Sequence, residues 1–583
     1  MATVQSGGSR LAAPQAPPWF NDDWLSGWIL CLALVLAYLP VWWAGFVWDD
    51  DAHVTSNLCI IGPLGLKEIW TTIAAQYYPL VLTTFWVEYH LWGLWALPYH
   101  LVTLGLHGAC AIVLWRILRL LQVPGAWLGA TIWALHPLQV ETVAWITETK
   151  NTQSGLFYLL SIFFFIHDLK ARETGDRAGD RRNYALTLLF AALAMASKSS
   201  TVVLPVVLCL GAWWVEGRWH WRNLLIVAPV FLMSLGAAAM AIITVRGQGV
   251  SDLSWAQSWP ERLVTSGYAV WFYLGRLLWP HPLVFIYPRW NIEAAEWYAY
   301  LPLLAVFIGL LVLWLKRATW GRPWFFALAY FLAAAFPVLG LVNHYFQRYS
   351  FVADHLQYLA GIGPLALLGA GLNRLADLTL PHKRWPQAVL CSGLLLTLGV
   401  MSWQRAWAYE SRETLWRDTL AQNPNCTMAY NNLGYVLLQR GDADEAIIQF
   451  QKALEIDPEF VEAHNNLGVI YLIVKQRDRA LAEFQKSLKL DPKNVEARAD
   501  FGLALAENGQ FDEAIAQDRQ ALALNPNMAE VHSNLGLALA QKEQWDEAIS
   551  EFKEALRLRP DFAEATDSLA KVRELAQQRA RPK

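Results

Sequence analysis

Charge is scarce in this 583-residue chain. Asp, Glu, Lys and Arg make up 16% of it, against about 25% in an ordinary soluble protein. That shortfall excludes a single soluble globular domain. Positive charge is not in excess either. The 46 Lys and Arg against 49 Asp and Glu leave a net charge of −3, which gives no hint of nucleic acid binding. The six cysteines are scattered, without the spacing of a metal site or a disulfide framework. Cys59 and Cys426, both expected to face outward, are the one pair open to bonding. Residues 1–20 lack the charged start, apolar core and cleavage site of a signal peptide. The first apolar run is therefore expected to stay as an anchor.

What is present is divided sharply. Residues up to about 405 are apolar and rich in Trp, and from about 410 the chain is polar and rich in Ala and Leu. The expected layout is a cytoplasmic tail (1–23), a transmembrane domain (24–405), a linker with a partial repeat (406–426), four repeats (427–562), and a capping helix with its tail (563–583). The predicted fold class is all-α, a polytopic helical membrane domain followed by an α-solenoid. About eleven runs are long enough for spans. They centre near residues 36, 108, 131, 160, 191, 208, 233, 307, 332, 364 and 396. Alternate loops concentrate Lys and Arg: Arg116 and Arg119; Lys170 to Arg182; Arg218 and Arg222; Lys316 to Arg322; Arg374 to Arg384. The positive-inside rule places these in the cytoplasm. The N-terminus is then inside, and the C-terminal module outside.

That module repeats every 34 residues, from Thr427, Val461, Val495 and Ala529. Leu433-Gly434, Leu467-Gly468, Phe501-Gly502 and Leu535-Gly536 align, as do Ala446, Ala480, Ala514 and Ala548. Phe450, Phe484 and Phe552 align too, with Asp518 breaking their series. The pattern resembles the tetratricopeptide repeat. Each first helix carries a polar residue beside its Leu-Gly pair: Asn432, Asn466, Asp500 and Asn534. An amide both donates and accepts, so this row suits the backbone of an extended peptide. Bonding within the array is the alternative.

The first apolar run ends in Trp48-Asp49-Asp50-Asp51. Carboxylates at a membrane edge are costly unless they serve a function. Four other outward stretches are polar: His136 to Glu141 with Glu148 to Lys150; Lys198 in Ser197–Thr201; Arg348 to Asp354 and His355; and a long segment, 245–297, carrying Arg246, Arg262, Arg276 and Arg289. Carboxylates from one loop with cations from several fit group transfer from a lipid phosphate. Cations neutralise the phosphate, and a carboxylate takes the proton of an incoming hydroxyl. Asp49, Asp50 and Asp51 are the catalytic candidates. Lys198, Arg348, His136, Glu141, Lys150, His355 and Asp354 are the candidates for holding the carrier. The three acids with His53 also offer ligands to a divalent cation, although neighbours in sequence rarely complete a coordination set.

Phe46-Val47-Trp48-Asp49-Asp50 resembles the Asp-Asp motif of GT-C class glycosyltransferases. Its combination with the repeats is similar to the transmembrane-and-tetratricopeptide (TMTC-type) protein O-mannosyltransferases and their prokaryotic relatives. His136-Pro137 through Glu141 to Ala144, and Ser197-Lys198, resemble segments of that family. The resemblance implies a polyprenyl- or dolichyl-phosphate sugar as donor, mannose as the usual sugar, inversion at the anomeric carbon, and Asp49 or Asp50 as general base. The third acid, Asp51, departs from the family pattern and leaves the base open by one position. On this reading the partners are the lipid-linked donor, an acceptor protein held by the repeats, and membrane lipid. The expected location is a bacterial inner membrane with the repeats in the periplasm, the alternative an endoplasmic reticulum membrane with the repeats in the lumen. A lipid or glycan acceptor, or a non-catalytic membrane scaffold, are the competing functions.

Overall fold

A computed structural model describes residues 23–62, 64–72, 78–247, 257–342, 345–379 and 384–580. The expectations for residues 1–22, for part of the 245–297 segment, for the Arg246 and Arg384 side chains and for Lys383 lie outside the described residues. The described chain is helical throughout, without a strand, and divides into two compact units, 1–415 and 416–583.

The first unit runs α1 (Asp23–Ala37), α2 (Gly65–Thr71), α3 (Pro79–Trp92), α4 (Ala96–Leu120), α5 (Ala126–Leu135), α6 (Val140–Ala144), α7 (Thr149–Thr174) and α8 (Arg177–Ser197). It continues with α9 (Leu204–Glu216), α10 (Trp221–Gly247), α11 (Trp259–Leu278), α12 (Leu301–Leu315), α13 (Gly321–Ala335), α14 (Ile362–Thr379) and α15 (Arg384–Ala406). Helices stand at all the positions read as spans. Among the described residues, seven are long and apolar enough to cross a membrane, with α1 and α5 apolar but shorter. Leu224, Leu232, Ile243, Phe307, Leu311 and Leu390 are each more than half exposed. An apolar surface of this extent suits hydrocarbon rather than water.

Two expectations change. The first run does not stay helical to Val47. It stops at Ala37, and Pro40 opens a short 3-10 turn (Leu39–Trp42), because proline lacks the N–H that a continuing helix needs. The long segment read as a loop contains α11. Its apolar residues alternate with polar ones at helical spacing, which makes it too amphipathic to read as a span. Tyr273 Oη accepts from the Ala353 N–H, and Gly267 lies against Leu303 at the start of α12. The contacts of α11 along its length are thus to residues at one end of the bundle.

α7 is the central pillar. Its 26 residues reach about 39 Å. At its far end Lys170 donates to the Leu120 carbonyl (2.8 Å), and Asp23 pairs there with Arg116 (2.6 Å) and Arg119. Near its start, a Cβ on Gly155 would lie 2.9 Å from the Tyr358 ring, so only glycine lets the 354–361 segment settle on this helix.

In the second unit α16 (Arg412–Gln422) leads, from its start in the first unit, into four helix pairs. They are α17 (Thr427–Gln439) with α18 (Ala443–Ile456), α19 (Val461–Ile473) with α20 (Arg477–Leu490), α21 (Val495–Glu507) with α22 (Phe511–Leu524), and α23 (Ala529–Gln541) with α24 (Trp545–Leu558). α25 (Ala563–Ala580) caps the stack. A Cβ on Gly434, Gly468 or Gly536 would fall 2.8, 2.5 or 3.0 Å from the rings of Phe450, Phe484 and Phe552. Each glycine therefore lets a phenylalanine close its repeat. The first helices of neighbouring repeats pack on one another and line one face of the array.

Candidate active site

The acid loop begins with a tight turn. The Asp50 N–H donates to the Val47 carbonyl (3.0 Å), and the His53 N–H to the Asp49 carbonyl (3.1 Å). Three adjacent carboxylates are thereby sent to three environments. Asp50 is fully buried. One of its oxygens accepts from the Val47 N–H (2.7 Å), the other from the N–H (2.7 Å) and hydroxyl (2.6 Å) of Thr147. Burial pushes its carboxyl up to about 7 against the pull of these bonds. Asp51 accepts from the Thr55 hydroxyl (2.7 Å) and pairs with Arg412. Asp49 is half-buried, and among the described residues its carboxylate has no hydrogen bond or ion pair.

Beside this loop runs Thr147-Glu148-Thr149-Lys150-Asn151, a polar stretch at the head of α7. Glu148 is fully buried between two cations, Lys150 at 2.9 Å and Lys198 at 3.5 Å. Lys198 also donates to Asn151 Oδ1 (2.5 Å), and Asn151 donates in turn to the His355 carbonyl (3.0 Å). Desolvation pulls the Lys198 ammonium down to about 8. His355 Nδ1 meets Glu141 Oε1 at 2.8 Å, while Glu141 Oε2 accepts from the N–H groups of Asp354 and His355 (3.1 and 3.3 Å). Tyr287 donates to Asp354 (2.9 Å), whose carboxyl is held well above the usual carboxylate range, first by burial and then by the charge of Glu141.

Rings close the site. Trp48 stacks on Trp145, with centroids 5.4 Å apart, and meets Phe285, Phe346 and Tyr349 edge-on. The Lys150 ammonium lies 5.7 Å from the Trp145 ring, and the Arg348 guanidinium 5.8 Å from the Tyr349 ring.

Of the residues singled out in sequence, the structure gathers Asp49, Asp50, Asp51, Glu141, Lys150, Lys198, Arg348, Asp354 and His355 around this site. His136 sits differently. Its Nδ1 accepts from the Leu138 N–H (3.3 Å) and its Nε2 meets the Leu277 carbonyl (3.1 Å), so it caps a turn with both nitrogens engaged. Sequence reasoning named Glu148 among the outward polar residues but did not place Thr147, Asn151 or Arg412 in the site. A polar run opening an apolar helix was the signal for the first two.

The divalent cation does not fit. Asp50 and Asp51 are committed in different directions, and His53 is engaged by the Asp49 carbonyl (2.8 Å) and the Tyr78 hydroxyl. Among the described residues no three His, Cys, Asp or Glu side chains gather to hold a metal. All six cysteines, Cys59 and Cys426 included, are free thiols.

In the array, the polar row is bonded in part within itself. Asn466 donates to Asn431 (2.9 Å), Asn465 to Asp500 (3.1 Å), and Asn431 to Asn432 (3.3 Å). The Asn534 side chain, half-buried, has no hydrogen bond among the described residues.

Comparison with known proteins agrees with both units. Family models described as TPR repeat and tetratricopeptide repeat match residues 434–472, 461–494 and 499–563. The mouse protein O-mannosyl-transferase TMTC3 is 23% identical over 460 residues, covering 71% of this chain and 49% of that protein. Mouse TMTC4 is 24% identical over 501 residues, covering 74% and 66%. Drosophila Tmtc3 is 22% identical over 523 residues, covering 74% and 55%. The chain spans about half to two thirds of the length of these curated relatives. It is an all-helical protein with apolar membrane-type helices and C-terminal tetratricopeptide repeats, similar over most of its length to the TMTC-type protein O-mannosyl-transferases.

Proposed function

We propose that this chain is a multi-pass membrane glycosyltransferase. It moves a sugar, mannose by its relatives' names, from a polyprenyl- or dolichyl-phosphate carrier to a Ser or Thr hydroxyl of a protein. The observation that carries the reading is the contrast among the acids. Asp49 alone of the three aspartates is uncommitted, on a loop that packs beside two lysines flanking one buried glutamate.

In this mechanism Asp49 accepts the proton of the acceptor hydroxyl as its oxygen attacks the anomeric carbon. The bond from that carbon to the phosphate oxygen breaks, and the phosphate departs with the electron pair. Lys150, Lys198 and Arg348 balance the departing charge. One displacement inverts the anomeric centre. Asp50 holds the loop to Thr147, and Glu148 spaces the lysines. Asn432, Asn466, Asp500 and Asn534 present amide and carboxylate groups to an acceptor chain, and tethering raises its effective concentration. The site faces away from the basic loops. By the positive-inside rule that is the periplasmic face of a bacterial inner membrane, or the lumenal face of an endoplasmic reticulum.

The test is transfer from polyprenyl-phosphate mannose to a secreted-protein extract by the purified full chain in lipid. Asp49→Asn is expected to lower the rate by 10²- to 10⁴-fold, roughly the worth of a general base, and Asp51→Asn to retain most of it. Equal loss in both variants, or no transfer by folded wild type, rejects the assignment.

A further inference from the structure

Trp48 has a backbone φ of +40°. For a bulky side chain this region is crowded and sparsely populated. Among the described residues, three other non-glycine positions have positive φ: Gln122, Lys475 and Glu543. Each lies two residues beyond a helix, after α4, α19 and α23, where a left-handed residue commonly closes the last turn. Trp48 closes no helix, so its conformation has another cause.

That cause is visible on both sides of the residue. On the backbone, Trp48 is enclosed between Val47 and Asp50, which exchange a main-chain bond (3.0 Å) and an N–H to carboxylate bond (2.7 Å). Its own carbonyl accepts from the Asp51 N–H (3.3 Å). On the side chain, the indole is packed by Trp145, Phe285, Phe346 and Tyr349. These rings come from three separate stretches of the chain. Sparsely populated backbone persists only when its surroundings over-determine it, and here the rings supply that constraint. Inside the closed turn, the direction of the chain at Trp48 decides which of the next two carboxylates faces inward. Asp50 is buried against Thr147, and Asp49 is left half-exposed.

We propose that Trp48 is the positioning residue of this site: its ring-locked, left-handed backbone turns Asp49 toward the acceptor and Asp50 into the core. The reaction role rests on the proposed function, since it takes Asp49 as the base. The geometric part does not.

The experiment has two readouts on the full chain in lipid. Labelling with a water-soluble carbodiimide and an amine, mapped by mass spectrometry, reports which carboxylate is accessible. Wild type is expected to label at Asp49 and stay unlabelled at Asp50. Trp48→Ala removes the ring lock. It is expected to label at both positions and to lose about 100-fold in kcat, the scale of a small misplacement of a reacting group, with the KM for the carrier unchanged. Trp48→Phe keeps a ring in place and is expected to restore both the labelling pattern and most of kcat. Trp48→Gly accepts left-handed backbone freely but brings no ring, and is expected to behave as Trp48→Ala. Wild-type labelling in Trp48→Gly, or in a folded Trp48→Ala, overturns the proposal. So does a kcat preserved in both. If wild type transfers no sugar, the proposed function falls and the labelling alone decides whether Trp48 sets the loop.

Discussion

The third repeat carries a defect that should be measurable. Where three repeats place a phenylalanine against the glycine of the first helix, this one places Asp518 against Gly502. Asp518 is 1% exposed, and among the described residues its Oδ1 has no hydrogen-bond partner. Burial pushes its carboxyl up to about 8, from a value near 4 in the unfolded chain. Between those two values the folded array holds a proton that the unfolded chain has lost, so stability falls as pH rises through that window. At 1.36 kcal/mol per tenfold change in proton affinity, the ceiling is about 5 kcal/mol. Relaxation of the site toward water reduces this, and about 2 kcal/mol is the working expectation at pH 8. Asp518→Phe removes the charge and restores the glycine–ring pair, adding about 2 kcal/mol from apolar burial. The assay is amide hydrogen exchange of α21 and α22 in the full chain, corrected for the intrinsic pH dependence of exchange. Wild-type protection should fall about 30-fold between pH 5 and pH 8, the equivalent of 2 kcal/mol. The Asp518→Phe variant should be better protected and flat across that range. Wild-type protection that does not change with pH, or a Phe variant exchanging faster than wild type, refutes the argument.

Two further outcomes are expected at the membrane site. Thr147→Val deletes the 2.6 Å hydroxyl bond to Asp50 and leaves a buried carboxylate oxygen with one donor fewer, at a cost of about 1–3 kcal/mol. A thermal melt in lipid should register the loss, and an unchanged melt would contradict the structural role given to Asp50. Lys198, pulled down to about 8 by burial, should lose its charge as pH rises through that value. Carrier affinity should then weaken above pH 8, and Lys198→Gln should be weak at every pH and show no such step.

Much of the fold was legible because it rests on periodicity. The 34-residue spacing of Leu-Gly, Ala and Phe positions marks each helix pair, and the break at Asp518 falls where the structure puts a buried, unpartnered acid. The apolar runs mark the membrane helices by their continuous length instead. α11 was missed because an amphipathic helix lying at one end of a bundle carries neither a span's continuous apolarity nor a loop's composition. Lys150 and Lys198, from stretches far apart in sequence, both reach Glu148. What no spacing could disclose is how three consecutive aspartates divide their work. That depends on the Thr147 hydroxyl, reached across 97 residues of chain, and on the Arg412 guanidinium, reached across 361.

By itself, the sequence determined the two units, the helical repeat, the places of the long apolar helices and the residue types available to the site. These follow from local patterns of burial and turn chemistry, which each segment carries alone. Tertiary structure alone decided which groups are spent and which are free. Asp50 is consumed by Val47 and Thr147, Asp51 by Thr55 and Arg412, and His136 by two backbone groups, while Asp49 keeps its carboxylate unbonded among the described residues. A hydrogen bond commits a group only when its partner arrives, and these partners arrive only once the chain has folded.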